Sequence, residues 1–341
     1  MIHYPHETPP AKGTAREIAD GILWIRLSMP LGLDHVNVYA LREPNGWTVI
    51  DTGLDTKLNR REWAAIIKDD LRGDPILRVV VTHHHPDHVG LAGWFMAQGA
   101  ELLMTRTAWL TARMLTLDEE PTPSPEAVSF WRGAGMDEAL LSKRLDNRPF
   151  NFCDTVYPLP LGFTRLEEGA VHRLGGRDWV VHLGQGHAPD HATLWCQDAP
   201  LVLAGDQLLP SISPNLGVYP TEPMADPVAE WLESCARFET MAREDHLVLP
   251  GHKLPYYGLP ARLAQLSDNH HGALARLREH LRAEPRTAVD CFAPLFKRQI
   301  DEATYGLAMV EAVAHLNHLY HLGEVAREMD ARGAWVWQLR S

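Results

Sequence analysis

A short apolar, β-branched run, ILRVVV at 76–81, leads without a break into THHHPDH at 82–88. Such a run reads as a strand buried on both faces, and the carboxyl end of a buried strand is where open α/β sheets hold their ligands. If the first residues of the cluster continue the strand, His83 and His85 project to one side by the period of two. The turn that follows lets Asp87 and His88 face back toward them. A loop this dense in imidazole has little packing value, because buried rings need partners and exposed rings need no such order. The H-x-H-x-D-H array therefore reads as four converging ligands.

The rest of the chain supplies the layers around that strand. Residues 17–52 read as strands and turns, with a turn at Pro44 to Gly46, and 57–70 carry apolar positions at helical intervals. From about 89 to 150 the pattern reads as helical, broken by the prolines between Pro121 and Pro125. Strand signals return in AVHRLGGRDWVVHLGQGH, ATLWCQD and LVLAGDQLL, followed by a helix near 227–243, a strand in HLVLPGH and helices from about 260 to 284. The tail from about 286 reads as two helices and a hairpin turning at Ala331 to Gly333, the outline of a winged helix. The expected division is an arm over 1–16, with residues 1–6 loose, and a catalytic domain over 17–260 with a helical flap at about 105–160. A helical, winged-helix-like domain over 261–341 completes it.

Composition narrows the function classes. The 341 residues are 45% hydrophobic and 22% charged, ordinary for a globular chain, and the net charge of −12 gives no global field to recruit nucleic acid or an anionic membrane. The four cysteines stand without C-x-x-C pairing, against a disulfide scaffold or a cysteine zinc site. No run approaches a membrane span, and the first residues lack a basic start followed by an apolar stretch, so a cytoplasmic location is expected. Of the 19 histidines, His315, His318 and His321 have helical spacing among leucines and read as the flank of a packed helix.

Three further residues each follow an apolar strand and sit beside a glycine: His187 in LGQGHAPDH, Asp206 in LVLAGDQLL and His252 in LVLPGHKLP. With VIDTG at 49–53 and THHHPDH, these motifs in this order resemble the metallo-β-lactamase superfamily over residues 17 to about 255. The resemblance implies an α+β fold, a four-layer αββα sandwich of two mixed sheets, and two divalent ions per chain. It implies that His83, His85 and His187 hold the first ion, that Asp87, His88 and His252 hold the second, and that Asp206 bridges them. Asp51 then lies beneath the site and fixes ligand orientation, and His191 hydrogen-bonds outside the ligand set. Asp190 stands where the family often has glycine. Nitrogen-rich sites with two carboxylates suit zinc, and iron or manganese accept the same ligands.

Such a metal pair supplies hydroxide near neutral pH, with Asp87 orienting it or moving its proton. The expected substrate is a small-molecule thioester or related activated ester. The alternatives are phosphodiester cleavage of RNA, lactone hydrolysis, and a non-catalytic winged-helix nucleic-acid binder. A basic surface is missing for the nucleic-acid readings: residues 304–322 contain no Lys or Arg, and 266–341 hold 9 Lys or Arg against 10 Asp or Glu. The tail then reads as a packing or homodimerisation module. Trp109, Met114, Leu115, Phe130 and Trp131 in the flap either cover an acyl chain or pack the flap itself. The Pro-rich segment near Tyr219 is expected to line the substrate cleft. GHKLPYYG at 251–258 departs from what a glyoxalase II shows after its last histidine, against glutathione specificity.

Overall fold

The computed structural model describes residues 1–30 and 32–340. Leu31 and Ser341, the last residue of the expected C-terminal domain, lie outside the described residues. The chain forms two compact units. The first comprises 1–119, 150–214 and 242–262, and the second 120–149, 215–241 and 263–341.

In the first unit, Thr14–Ala19 (β1), Ile22–Ser28 (β2), His35–Glu43 (β3) and Gly46–Ile50 (β4) form an antiparallel meander. Helix Lys57–Asp69 (α1) opens on Thr56, whose side chain accepts the Asn59 N–H, and buries Trp63 and Ile66. It crosses over to Ile76–Val80 (β5), parallel to β4. After the short helices Pro86–Val89 (α2) and Ala92–Met96 (α3) come Glu101–Met104 (β6), helix Arg106–Leu117 (α4) and Thr164–Arg165 (β7), so the seven-stranded sheet runs β1 to β7 in sequence order. A second, five-stranded sheet contains Val171–Leu174 (β8), Arg177–Gly184 (β9), His191–Cys196 (β10), Leu201–Gly205 (β11) and Leu247–Pro250 (β12), in the order β12-β11-β10-β9-β8.

Two hydrophobic clusters place the layers. Ile22, Trp24, Tyr39, Ile50 and Val80 of the first sheet pack with Trp179, Val181, Leu194, Leu203 and Leu249 of the second, which makes a sheet-on-sheet core. The other face of the first sheet, with Val36, Val38, Val49, Val79 and Leu102, packs with Trp63, Phe95, Ala108 and Trp109 of α1, α3 and α4. Strand β5 is thus covered on both sides at Val79 and Val80, whereas Leu77, beside Arg78, is exposed. The mixed-sheet α+β architecture expected from the sequence is present.

The second unit contains the helices Pro125–Gly133 (α5), Glu138–Leu145 (α6), Pro227–Glu239 (α7), most of Leu259–Ala283 (α8), Phe292–Phe296 (α9) and Glu302–His321 (α10). The hairpin Val325–Met329 (β13) with Trp335–Leu339 (β14) completes it. No helix among the described residues is long and apolar enough to cross a membrane.

Three features differ from the sequence reading. Strand β6 interrupts the stretch from 89 to 150 that reads as helical; its four residues are too few to establish a period of two between helical neighbours. The N-terminal arm is not loose. His3 exchanges backbone hydrogen bonds with Tyr257 and stacks on its ring at 4.8 Å, and β1 already begins at Thr14. The flap is not one body: α4 belongs to the first unit, whereas α5 and α6 belong to the second.

Gly93 marks a close approach that the packing of α3 depends on, since a Cβ there would stand 2.2 Å from the Pro158 carbonyl oxygen. Gly93→Ala should therefore cost about 1–3 kcal/mol by overpacking, read as a lower urea midpoint with an unchanged slope.

Candidate metal centre

Strand β5 delivers Thr82 and His83 to the rim of the first sheet. Pro86, the first residue of α2, tightens the chain so that the His88 and Val89 N–H groups both return to the His85 carbonyl oxygen. Thr52 splints the turn by donating its hydroxyl to the His88 carbonyl oxygen at 2.8 Å and accepting the Leu91 N–H at 3.0 Å. Asp87 and His88 are thereby folded back toward His83 and His85.

Beneath them lies Asp51, in the left-handed conformation at φ 61° directly after β4. Its Oδ1 accepts the Thr82 N–H at 2.8 Å, and its Oδ2 accepts the Thr82 hydroxyl at 2.9 Å and the His88 Nδ1–H at 2.8 Å. The Thr82 oxygen, its own proton committed to Asp51, lies 3.0 Å from His83 Nδ1 and accepts its N–H. The Nε2 atoms of His83 and His88 are left to face the centre. On the other side, His252 Nδ1 donates to the His35 carbonyl oxygen at 2.8 Å, which turns its Nε2 inward as well.

The second sheet brings the remaining donors from adjacent strand ends. His187 sits in the connection between β9 and β10. Parallel strands β11 and β12 end on Gly205 and Pro250, and the Gly251 N–H donates to the Gly205 carbonyl oxygen at 2.7 Å, which sets Asp206 beside His252. Only glycine fits these turns. Gly205 has φ 48° with a Cβ position 2.6 Å from His191 Cε1, and a Cβ on Gly251 would lie 2.3 Å from Asp206 Oδ1.

Donor atoms gather in three overlapping groups: His83, His85 and His187; His83, His88 and Asp206; and Asp87, His88 and His252. His83 Nε2 and His85 Nδ1 are 3.0 Å apart, His252 Nε2 is 3.2 Å from both Asp87 Oδ2 and Asp206 Oδ2, and His88 Nε2 is 3.4 Å from Asp206 Oδ1. Two ligands of one tetrahedral zinc stand about 3.3–3.4 Å apart. The buried His88 Nε2 and Asp206 Oδ1 complete no hydrogen bond of their own. Nitrogen and carboxylate donors gathered at this spacing, two of them buried and without a hydrogen bond, fit divalent cations.

The electrostatics have the same sense. Burial, with the neighbouring imidazoles, holds His83 and His85 well below the usual histidine range. Burial also opposes charge on His88 and His252, but Asp206 and Asp87 outweigh it and push both up, His252 to about 10. Without cations, the carboxylates are balanced by protons that divalent ions would displace.

Of the other expected residues, Asp51 orients His88 directly and His83 through Thr82. His191, fully buried, stacks on His83 at 4.5 Å and accepts the Asp206 N–H at 3.1 Å. Tyr219 lies on a loop of the second unit and is 46% exposed. Trp109 is buried against Phe163, and Phe130 against Trp335, so both pack, whereas Met114 is exposed. The GHKLPYYG segment turns back at Lys253, with φ 69°, and Tyr256 and Tyr257 pair with Val248 and His3.

The sequence reading missed Asn37. Its N–H donates to the Gly251 carbonyl oxygen at 2.6 Å, its Nδ2 donates to those of Pro250 and Lys253 at 3.0 and 2.8 Å, and its Oδ1 accepts the Trp24 indole N–H at 2.9 Å. A single amide thus clamps the turn that carries His252. The signal for it was one asparagine inside the buried strand HVNVYA.

Comparison with known proteins agrees with this geometry. Residues 31–252 match the model of the metallo-beta-lactamase superfamily, and 274–340 match that of the metallo-beta-lactamase-like C-terminal domain. The chain is 24% identical to the probable metallo-hydrolase YqjP of Bacillus subtilis (strain 168), over 88% of this chain and 92% of that protein. It is similar to the crystal structure of a beta-lactamase domain protein from Burkholderia ambifaria, with TM-score 0.91 and 35% identity, covering 99% of this chain and 98% of that one. It is also similar to the metallo-beta-lactamase family protein TTHA1429 from Thermus thermophilus, with TM-score 0.79 and 26% identity, covering 95% of this chain and 100% of that one.

Asp51→Ala removes the acceptor for three donors, one of them on His88, and should weaken metal binding about 10–100-fold, read by competition with a chelator. Chelation of the parent protein should lower its thermal midpoint, and zinc should restore it, because ions that bind only the folded chain stabilise it.

Proposed function

Because the chain belongs to the metallo-β-lactamase superfamily and is a metallo-hydrolase, we propose that it hydrolyses a thioester or a related activated carboxylic ester at a pair of divalent ions, zinc by preference. The observation that carries this reading is the place of Asp206. Its Oδ2 lies 3.7 Å from His187 Nε2 and 3.2 Å from His252 Nε2, and its Oδ1 lies 3.4 Å from His88 Nε2, so one carboxylate is common to both halves of the ligand set. When bound, the ions supply an ionised water near neutral pH and a positive field for an oxyanion.

His83, His85 and His187 would hold the first ion and Asp87, His88 and His252 the second, with Asp206 available to both. Asp87, whose side chain is 15% exposed, is the more accessible of the two carboxylates, and it orients the attacking water and moves its proton toward the leaving group. Asp51 and Asn37 keep His88 and His252 aimed while charge changes above them.

Three features support an acyl substrate over a phosphodiester. The net charge is −12, and α10 carries no Lys or Arg to attract a phosphate chain. Helix α4 begins at the loop that holds His187, where the Thr105 hydroxyl donates to the Asp190 carbonyl oxygen at 2.9 Å, and it leaves Leu110, Met114 and Leu117 exposed at helical spacing. That apolar face suits an acyl chain. In this reading Tyr219 is a wall of the substrate cleft, the C-terminal winged-helix-like domain packs or dimerises without binding nucleic acid, and the protein works in the cytoplasm.

The test is metal analysis of the purified protein followed by a panel of acyl-CoA, acyl-glutathione, lactone, cephalosporin and RNA substrates. The expected result is close to two metals per chain and turnover of at least one thioester or ester, with His85→Ala and Asp206→Ala losing both metal and turnover. RNA cleavage without ester turnover would overturn the substrate class.

A further inference from the structure

The connection that carries His187 runs from Gln185 to Asp190, between β9 and β10, and its second residue is Gly186 at φ 95°. A six-residue connection outside the strand ladder, with a glycine beside the histidine, does not hold one imidazole rigid by its backbone alone. Asp190, which closes it, adopts φ 49°, a conformation that glycine takes without cost and that aspartate tolerates better than most residues.

The aspartate side chain is fully engaged. Asp190 N–H donates to Gln185 Oε1 at 2.9 Å, and Gln185 Nε2 donates to Asp190 Oδ1 at 2.8 Å, so a ring of two hydrogen bonds ties the two ends of the connection together. The other carboxylate oxygen accepts the hydroxyl of Thr107, in the first turn of α4, where a negative charge is also favoured by the helix dipole. Gln207 Nε2 donates to the Gln185 carbonyl oxygen at 3.3 Å, which links the same loop to the residue that follows Asp206. Glycine at 190 would keep the backbone bonds to Gln185 and Thr105 and lose both carboxylate bonds.

We propose that Asp190 is a positioning residue for His187: its carboxylate locks the loop of that ligand to Gln185 and to the start of α4, and so sets the affinity for the first ion. The proposal rests on the reading that His187 holds that ion. Asp190 acts through the loop and contacts neither ion nor substrate.

The discriminating variant is Asp190→Gly, because it relieves the left-handed backbone while it removes the lock. The metal-free variant should melt within a few degrees of the parent. Stepwise zinc titration against a chelator should show one of the two ions bound about 10-fold more weakly and the other unchanged. Cobalt substitution should alter the absorption of one site only. Thr107→Val, which leaves the loop backbone alone, should weaken the same ion by a smaller factor, and Asp190→Asn, which keeps an acceptor for Thr107 and tolerates the same φ, should recover most of the loss. Affinities within twofold of the parent for both ions in Asp190→Gly would overturn the proposal. So would equal weakening of both ions together with a lowered melting temperature, the mark of a merely structural residue. His187→Ala separates this failure from that of the ligand assignment: unchanged affinity for both ions there would show that His187 is no ligand, and the proposal would fall with it.

Discussion

Two carboxylates set among imidazoles, Asp206 buried and Asp87 nearly so, are the constraint around which the first unit is organised. Asp87 and Asp206 are expensive to bury as anions unless positive charge is held against them. The chain meets that demand from both sheets. The first contributes His83, His85 and His88 after β5, and the second contributes His187, Asp206 and His252 after β9, β11 and β12. Neither sheet can complete the set, so the sheet-on-sheet core formed by Trp24, Tyr39, Trp179 and Leu203 also determines whether the donors meet. Stability of the core and competence of the site are the same physical requirement at this rim.

The layer next to the converging donors shows how much of their orientation is supplied by groups outside the donor set. Asp51 serves Thr82 and His88, and through Thr82 it serves His83. The backbone carbonyl of His35 and the side chain of Asn37 serve His252 and its turn. The partners of the rings fix which nitrogen carries the proton, and therefore which one faces inward. Outer partners of this kind set orientation and ligand basicity, and cations alone would not rebuild them.

The sequence made the donors legible because chemistry-bearing residues stood at the ends of apolar strands in a fixed order. The dense array at His83 to His88 did not depend on knowing the sheets, and Asp51 was legible through its place in VIDTG. What was not legible followed from short or long-range causes. Strand β6 is a four-residue element whose identity comes from pairing with β5, not from its own pattern. The docking of His3 on Tyr257 joins residues far apart in sequence through backbone groups that no side-chain pattern encodes. Asn37 was visible as an isolated polar residue in an apolar strand, but its partners at Pro250 and Lys253 lie 213 and 216 positions away.

Histidine number alone would have misled, and the second unit shows why. There His270 and His315 stack with ring centroids 5.3 Å apart and Nδ1 to Nε2 at 3.2 Å, a spacing like that between donors of the candidate metal centre. Burial pushes them down to about 3 and about 4 respectively, so both stay neutral. His315 Nδ1 bonds to the Glu311 carbonyl oxygen, and the nearby carboxylate of Asp226 is occupied by His318 and by capping α7 through the Ala229 N–H. Imidazoles here pack and satisfy one another, and no third donor joins them among the described residues. The difference between the clusters lies in the carboxylates: at the rim of the two sheets Asp87 and Asp206 stand among the imidazoles, His252 Nε2 is shared between them, and the protons that balance them are ones that divalent cations can displace.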